Sequence, residues 1–257
     1  MVFKPRVVLY IILLEMSRKL CYYILMLNKL KKELDSLADK KKAVILQGFF
    51  KTGKGQYGEG DIFLGIKVPV QRGVAKKYLD LLLSDIQKLL NTKIHEYRLV
   101  ALFILIDKYQ KGSDNEKKKI YNLYLKNYNN INNWDLVDLS APKIVGDYLL
   151  NKDRDTLYKL ARSNHLWKKR IAILSTFSFI RNNDFKDSLS ISEILLHDDH
   201  DLIHKAVGWM LREVGKRDQK VLEKFLDKHI GQMPRTMLRY AIERFEETLR
   251  KSYLKKK

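Results

Sequence analysis

The residues with most to offer chemically are Trp134, Asp138, Arg170, Lys205 and Trp209, with Arg98 upstream of them. Three of the six are cations, able to grip the phosphates of a polyanion. The electron-rich faces of two indoles attract positive charge. A carboxylate among phosphate-gripping cations is unexpected if binding is the only task, because beside phosphates it repels the ligand. Taken singly, each residue has a plainer reading. A tryptophan on a helix packs into a core by default, Asp138 would be a solvated helix residue or a partner of Lys143, and Arg170 a surface cation beside Lys168 and Lys169. Their spacing lifts them above that.

Cations precede apolar runs in Arg98-Leu99-Val100-Ala101-Leu102, Arg170-Ile171-Ala172-Ile173-Leu174 and Lys205-Ala206-Val207-Gly208-Trp209. Arg98 and Arg170 are 72 residues apart, Arg170 and Lys205 35 apart, and Trp134 falls at the midpoint of the longer interval. A period of about 36 lies between the tetratricopeptide and HEAT spacings and predicts an α-solenoid of helix pairs. Equivalent positions of a solenoid line up along one surface, commonly the concave one. Arg98, Trp134, Arg170 and Lys205 then form one row, with Asp138 and Trp209 a turn further along the same faces.

The elements that must position these residues are helices. From Pro69 onward apolar residues recur at three- and four-residue steps, as in Leu89, Leu90, Ile94, Tyr97, Val100, Ala101, Ile104 and Leu105, and Leu27, Leu30, Leu34 and Leu37 predict a first helix. With 46% hydrophobic residues but only 12 Gly and 4 Pro in 257 residues, the chain can bury a core and has few turn-formers. One clear loop lies between Gly48 and Gly65, where Gly53, Gly55, Gly58 and Gly60 surround Tyr57. It lacks the Lys-Ser or Lys-Thr and the preceding strand of a phosphate-cradling nucleotide loop.

A formal charge of +20 argues for a polyanionic partner, against the plainer reading of a lysine-rich surface from a biased genome. Residues 1–25 hold three of those charges and residues 250–257 five, leaving twelve on residues 26–249. The chain thus divides into an N-terminal extension or misplaced start (1–25), a repeat body (26–249) and a basic tail (250–257). Cys21 is the lone cysteine, so no internal disulfide is expected, and neither is a zinc site. The apolar run Val7 to Leu14 is broken by Glu15, Arg18 and Lys19, well short of the roughly 18 to 20 residues of a membrane span, and no cleavage site follows. A cytoplasmic monomer without metal or cofactor is expected.

Four blocks in order, Phe63-Leu64-Gly65-Ile66 before Pro69, Trp134-Asp135-Leu136-Val137-Asp138, Leu166-Trp167-Lys168-Lys169-Arg170, and Lys205-Ala206-Val207-Gly208-Trp209 with Leu211-Arg212-Glu213, resemble the AlkD-type alkylpurine DNA glycosylases. The resemblance covers about residues 27 to 249. It implies an all-α fold, a right-handed α-solenoid of HEAT-like helix pairs with a basic concave face, acting on double-stranded DNA that carries alkylated bases. It also implies that Trp134 and Trp209 flank the sugar-phosphate of the damaged nucleotide, that Asp138 is the catalytic carboxylate, and that Arg170 is a nearby DNA-binding cation. Tyr57 is similar to the family's N-terminal aromatic residue, although its distance from Phe63 differs by one residue.

The chemistry implied is economical. A purine alkylated at N3 or N7 is already cationic and leaves without a general acid, while the deoxyribose develops oxocarbenium character. Asp138 would stabilise that charge and position water, with the indole faces favouring the same cation. Arg170, with Lys205 and Arg98, would hold phosphates. No lysine nucleophile is required, so a monofunctional glycosylase is expected. The alternative is a non-catalytic helical-repeat protein that binds nucleic acid through the same basic face.

Overall fold

The structure, a computed structural model, describes residues 25–256. Cys21, the apolar run and all but the last residue of the expected N-terminal extension lie outside the described residues. Within them the chain is helical throughout, apart from an isolated bridge between Ile62 and Ile94, and it divides into two compact units, up to Lys108 and from Tyr109. Among the described residues no helix is long and apolar enough to cross a membrane.

In the first unit α1 spans residues 25–36 and buries Leu27, Leu30 and Leu34, the stripe its sequence predicts, while Leu37 lies past its end and is exposed. α2 (Lys40–Phe49) is capped by Asp39, whose side chain accepts from the Lys42 amide. α3 (Val68–Lys77) carries Pro69 in its first turn, where a missing N–H costs nothing. α4 (Leu83–Leu90) and α5 (His95–Lys111) follow. The expected loop joins α2 to α3. Its end is sewn to α5 by Glu96, a fully buried carboxylate that accepts from the amides of Leu64, Gly65 and Ile66 at 2.9, 2.8 and 3.2 Å. Gly65 has φ +86°, and a Cβ there would meet the Asp39 carbonyl at 2.3 Å, so both backbone and space require glycine.

The second unit continues with α6 (Asp114–Lys126), started by a Ser113–Glu116 capping box, and α7 (Trp134–Ala141), capped by Asn133. Pro142, which has no N–H to continue the ladder, opens a π-helical stretch, Pro142–Gly146, that runs into α8 (Asp147–Leu149). Then come α9 (Asp155–Ala161), α10 (Leu166–Ser175), α11 (Phe177–Arg181), α12 (Lys186–Ile194), α13 (Asp201–Gly215), α14 (Gln219–His229), α15 (Arg235–Ala241) and α16 (Glu247–Lys255). α7 packs on α10, α10 on α13 and α13 on α15, while α9 backs α10 and α14 backs α13. This is the stacking of helix pairs that the period predicts, and it buries Leu136, Val137, Ile171, Leu174, Val207, Met210 and Leu211. At Gly208 a Cβ would meet the Met237 carbonyl at 2.5 Å, which is why α13 and α15 can approach so closely.

Two expectations change. Of residues 250–257, expected as a basic tail, Arg250 to Lys255 instead supply the last turns of α16, where Tyr253 is buried and its hydroxyl donates to Asp227 at 3.1 Å. The repeat register also moves. α7, α10 and α13 begin at Trp134, Leu166 and Asp201, so their spacings are 32 and 35 residues. Asp138, not Trp134, therefore stands level with Arg170 and Lys205, each the fifth residue of its helix. The loop before α10 is the shorter one, and a spacing rule applied across loops of unequal length slips by one turn.

Candidate active site

Three neighbouring helices supply the residues. Trp134 opens α7 and Asp138 follows a turn later; Arg170 lies on α10; Lys205 and Trp209 lie on α13. The structure brings Asp138 and Arg170 into direct contact. The guanidinium donates Nε–H to Oδ1 at 2.8 Å and Nη2–H to Oδ2 at 2.7 Å, the two-pronged geometry that matches a planar fork to a carboxylate. Its Nη1 donates to the Leu202 carbonyl in the first turn of α13. One side chain of the middle helix thereby ties the helix before it to the helix after it. Both main-chain polar groups of Leu202 are engaged by side chains, since its N–H donates to Nδ1 of His200 at 3.1 Å. Burial lowers the His200 pKa, which favours the neutral ring that this acceptor role needs.

Arg170 is a buried group, its side chain 5% exposed, whereas that of Asp138 is 12% exposed. Arg170, expected as a DNA-binding cation, has its charge engaged by Asp138. Burial pushes the Asp138 carboxyl above its ordinary value; the charge and hydrogen bonds of Arg170 oppose that shift, Asp135 adds to it, and the net direction is up. With one guanidinium N–H on each oxygen, lone pairs remain on both for water or an electron-poor carbon.

Trp134 and Trp209 are both half-buried, unlike Trp167, which packs in the core. Lys205 is 40% exposed and pairs with Asp201 at 2.7 Å, a surface arrangement that a phosphate can compete with. In the first unit Arg98, expected to hold phosphate, is engaged by a carboxylate in the same way as Arg170. It is buried and its Nη2 lies 2.6 Å from Oδ2 of Asp61; nearby in sequence, Phe63 stacks on His95 with centroids 4.3 Å apart. Tyr57 is half-buried in the glycine-bearing loop of that unit. Sequence reasoning missed Asp61 and Glu96 as partners and anchors, and it missed Glu213, which accepts from the Trp209 indole. Only Glu213 left a signal, its spacing of four from Trp209.

A DNA alkylation repair enzyme family model matches residues 30–245. The chain belongs to that family. Membership places it in DNA alkylation repair, with DNA as the substrate. No curated protein sequence matches the chain. Among solved structures, it is similar to a predicted DNA alkylation repair enzyme from Enterococcus faecalis, with a TM-score of 0.63 and 16% identity over 82% of this chain and 97% of that one. At that identity the likeness speaks for the fold. The Asp138–Arg170 pair and the half-buried Trp134 and Trp209 lie on three successive packed helices of this chain, α7, α10 and α13.

Proposed function

We propose that this family member is a monofunctional DNA glycosylase that hydrolyses the N-glycosidic bond of cationic N3- or N7-alkylated purines in double-stranded DNA. The observation that carries the reading is Asp138: a carboxylate raised in proton affinity by burial, fixed by Arg170 and one turn from the half-buried Trp134. The alkylated base already bears a positive charge and departs as a neutral purine without protonation. Charge then appears on the deoxyribose, where Asp138 stabilises it and orients the water that attacks C1′. Trp134 and Trp209 offer π faces to the same cation. Arg170 orients Asp138, while Lys205 meets the phosphate backbone.

The test is release of 7-methylguanine from methylated duplex by the wild type and Asp138→Asn. The variant is expected to lose about a hundredfold in rate while still binding duplex, with a thermal midpoint measured alongside to show that it is folded. Undiminished release in Asp138→Asn would overturn the mechanism. Salt-sensitive binding with no release from any alkylated substrate would leave a non-catalytic nucleic-acid-binding repeat protein.

A further inference from the structure

Trp209 is held from two sides. Its ring tilts by 51° against Phe177 with centroids 6.0 Å apart, and its indole Nε1–H donates to Oε1 of Glu213, one turn further along α13, at 3.2 Å. Glu213 is itself pinned. Lys216 Nζ donates to both of its oxygens, at 3.0 and 2.8 Å, and Arg212 Nε lies 3.6 Å from Oε1, leaving the glutamate side chain 12% exposed. Arg212 is anchored in turn to Glu243 on the far side.

We propose that Glu213 is a positioning residue for the reaction, acting through Trp209 by fixing the rotamer in which the indole face meets the cationic sugar. The inference rests on the glycosylase reading given above. A cation is attracted to the face of an indole and not to its N–H edge, so the interaction exists only in a narrow range of ring orientations. A ring free to turn would have to be ordered in each catalytic cycle, at an entropic cost. Phe177 limits the ring sterically but gives it no direction, whereas an N–H···O bond does. A carboxylate suits the post because it accepts from Trp209 and Lys216 together and has no donor of its own to satisfy.

The experiment measures single-turnover release of 7-methylguanine at saturating enzyme for wild type, Glu213→Ala, Glu213→Gln, Trp209→Phe and the double variant Trp209→Phe/Glu213→Ala. Glu213→Ala is expected to slow release about tenfold, with the duplex Kd changed less than about twofold. Glu213→Gln, which keeps an acceptor, should stay within about threefold of wild type. Phenylalanine has no N–H, so Glu213→Ala should cost nothing further in the Trp209→Phe background. Equal losses in both backgrounds, or an unaffected Glu213→Ala, would overturn the proposal. A wild type that releases no base would defeat the glycosylase reading instead. The hold on Trp209 is then read from 5-fluorotryptophan NMR, using the resonance that disappears in Trp209→Phe. It shifts in Glu213→Ala but not in Glu213→Gln if Glu213 sets the ring, and stays put in both if it does not.

Discussion

Asp138 occupies a position where burial and a neighbouring guanidinium pull its proton affinity in opposite directions, and burial prevails. A carboxyl whose folded pKa is raised contributes most to stability while protonated, and that contribution is lost as pH rises through the folded value. Keeping Asp138 ionised therefore costs the fold something at neutral pH, as expected of a group retained for its charge. The rate of base release should consequently fall on acidification with a midpoint above the ordinary aspartate value of about 3.9. This is measured after subtracting spontaneous depurination, and the limb should vanish in Asp138→Asn. A midpoint at or below the ordinary value would contradict the assignment. Both members of the pair could be picked out from residue type and spacing. Their contact could not, because helical periodicity says which face a residue occupies on its own helix and nothing about which partner fills the space opposite.

At the scale of elements, α13 carries more constraints than any other helix of the site. It supplies Trp209 and Lys205, its first turn receives Arg170, and its midpoint lies against α15. Gly208→Ala should destabilise the protein by about 1–3 kcal/mol, read as a lower midpoint of chemical denaturation, because the added methyl has the Met237 carbonyl and Tyr240 Cβ as its nearest neighbours, each at 2.5 Å. An unchanged midpoint would mean that the helices can separate at no cost. The helix pairs were legible in the sequence because their apolar faces repeat. The register was legible only to within a turn, since loop length is set by local turn chemistry that a single average period smooths away. The helical fate of Arg250 to Lys255 was hidden for a related reason: a run of cations looks like a tail until Tyr253 finds a place in the core.

For the whole molecule, net charge and useful charge are different quantities. The chain carries +20, yet Arg98 and Arg170, two of the three cations picked out as ligand-facing, are buried against Asp61 and Asp138. Duplex affinity should fall steeply with salt, and Lys205→Gln should reduce the slope of log K against log salt by about one. Arg98→Gln should leave that slope unchanged and lower the thermal midpoint instead, because it strands a buried carboxylate. A slope that responds to Arg98 would place that residue on the DNA after all. Composition thus revealed the sign of the partner, while the distribution of the charge depended on pairings between residues more than thirty positions apart.

The Arg170 bridge also bears on how such a protein can change over generations. Because the same guanidinium holds Asp138 and the start of α13, a lineage that discards the acid leaves two buried guanidinium donors without their acceptors, at a cost of about 1–3 kcal/mol. A loss of that size is a large fraction of a marginally stable chain's stability. Descendants that abandon catalysis while keeping the scaffold should therefore have replaced both residues, and a chain that retains both has had a structural as well as a chemical reason to do so.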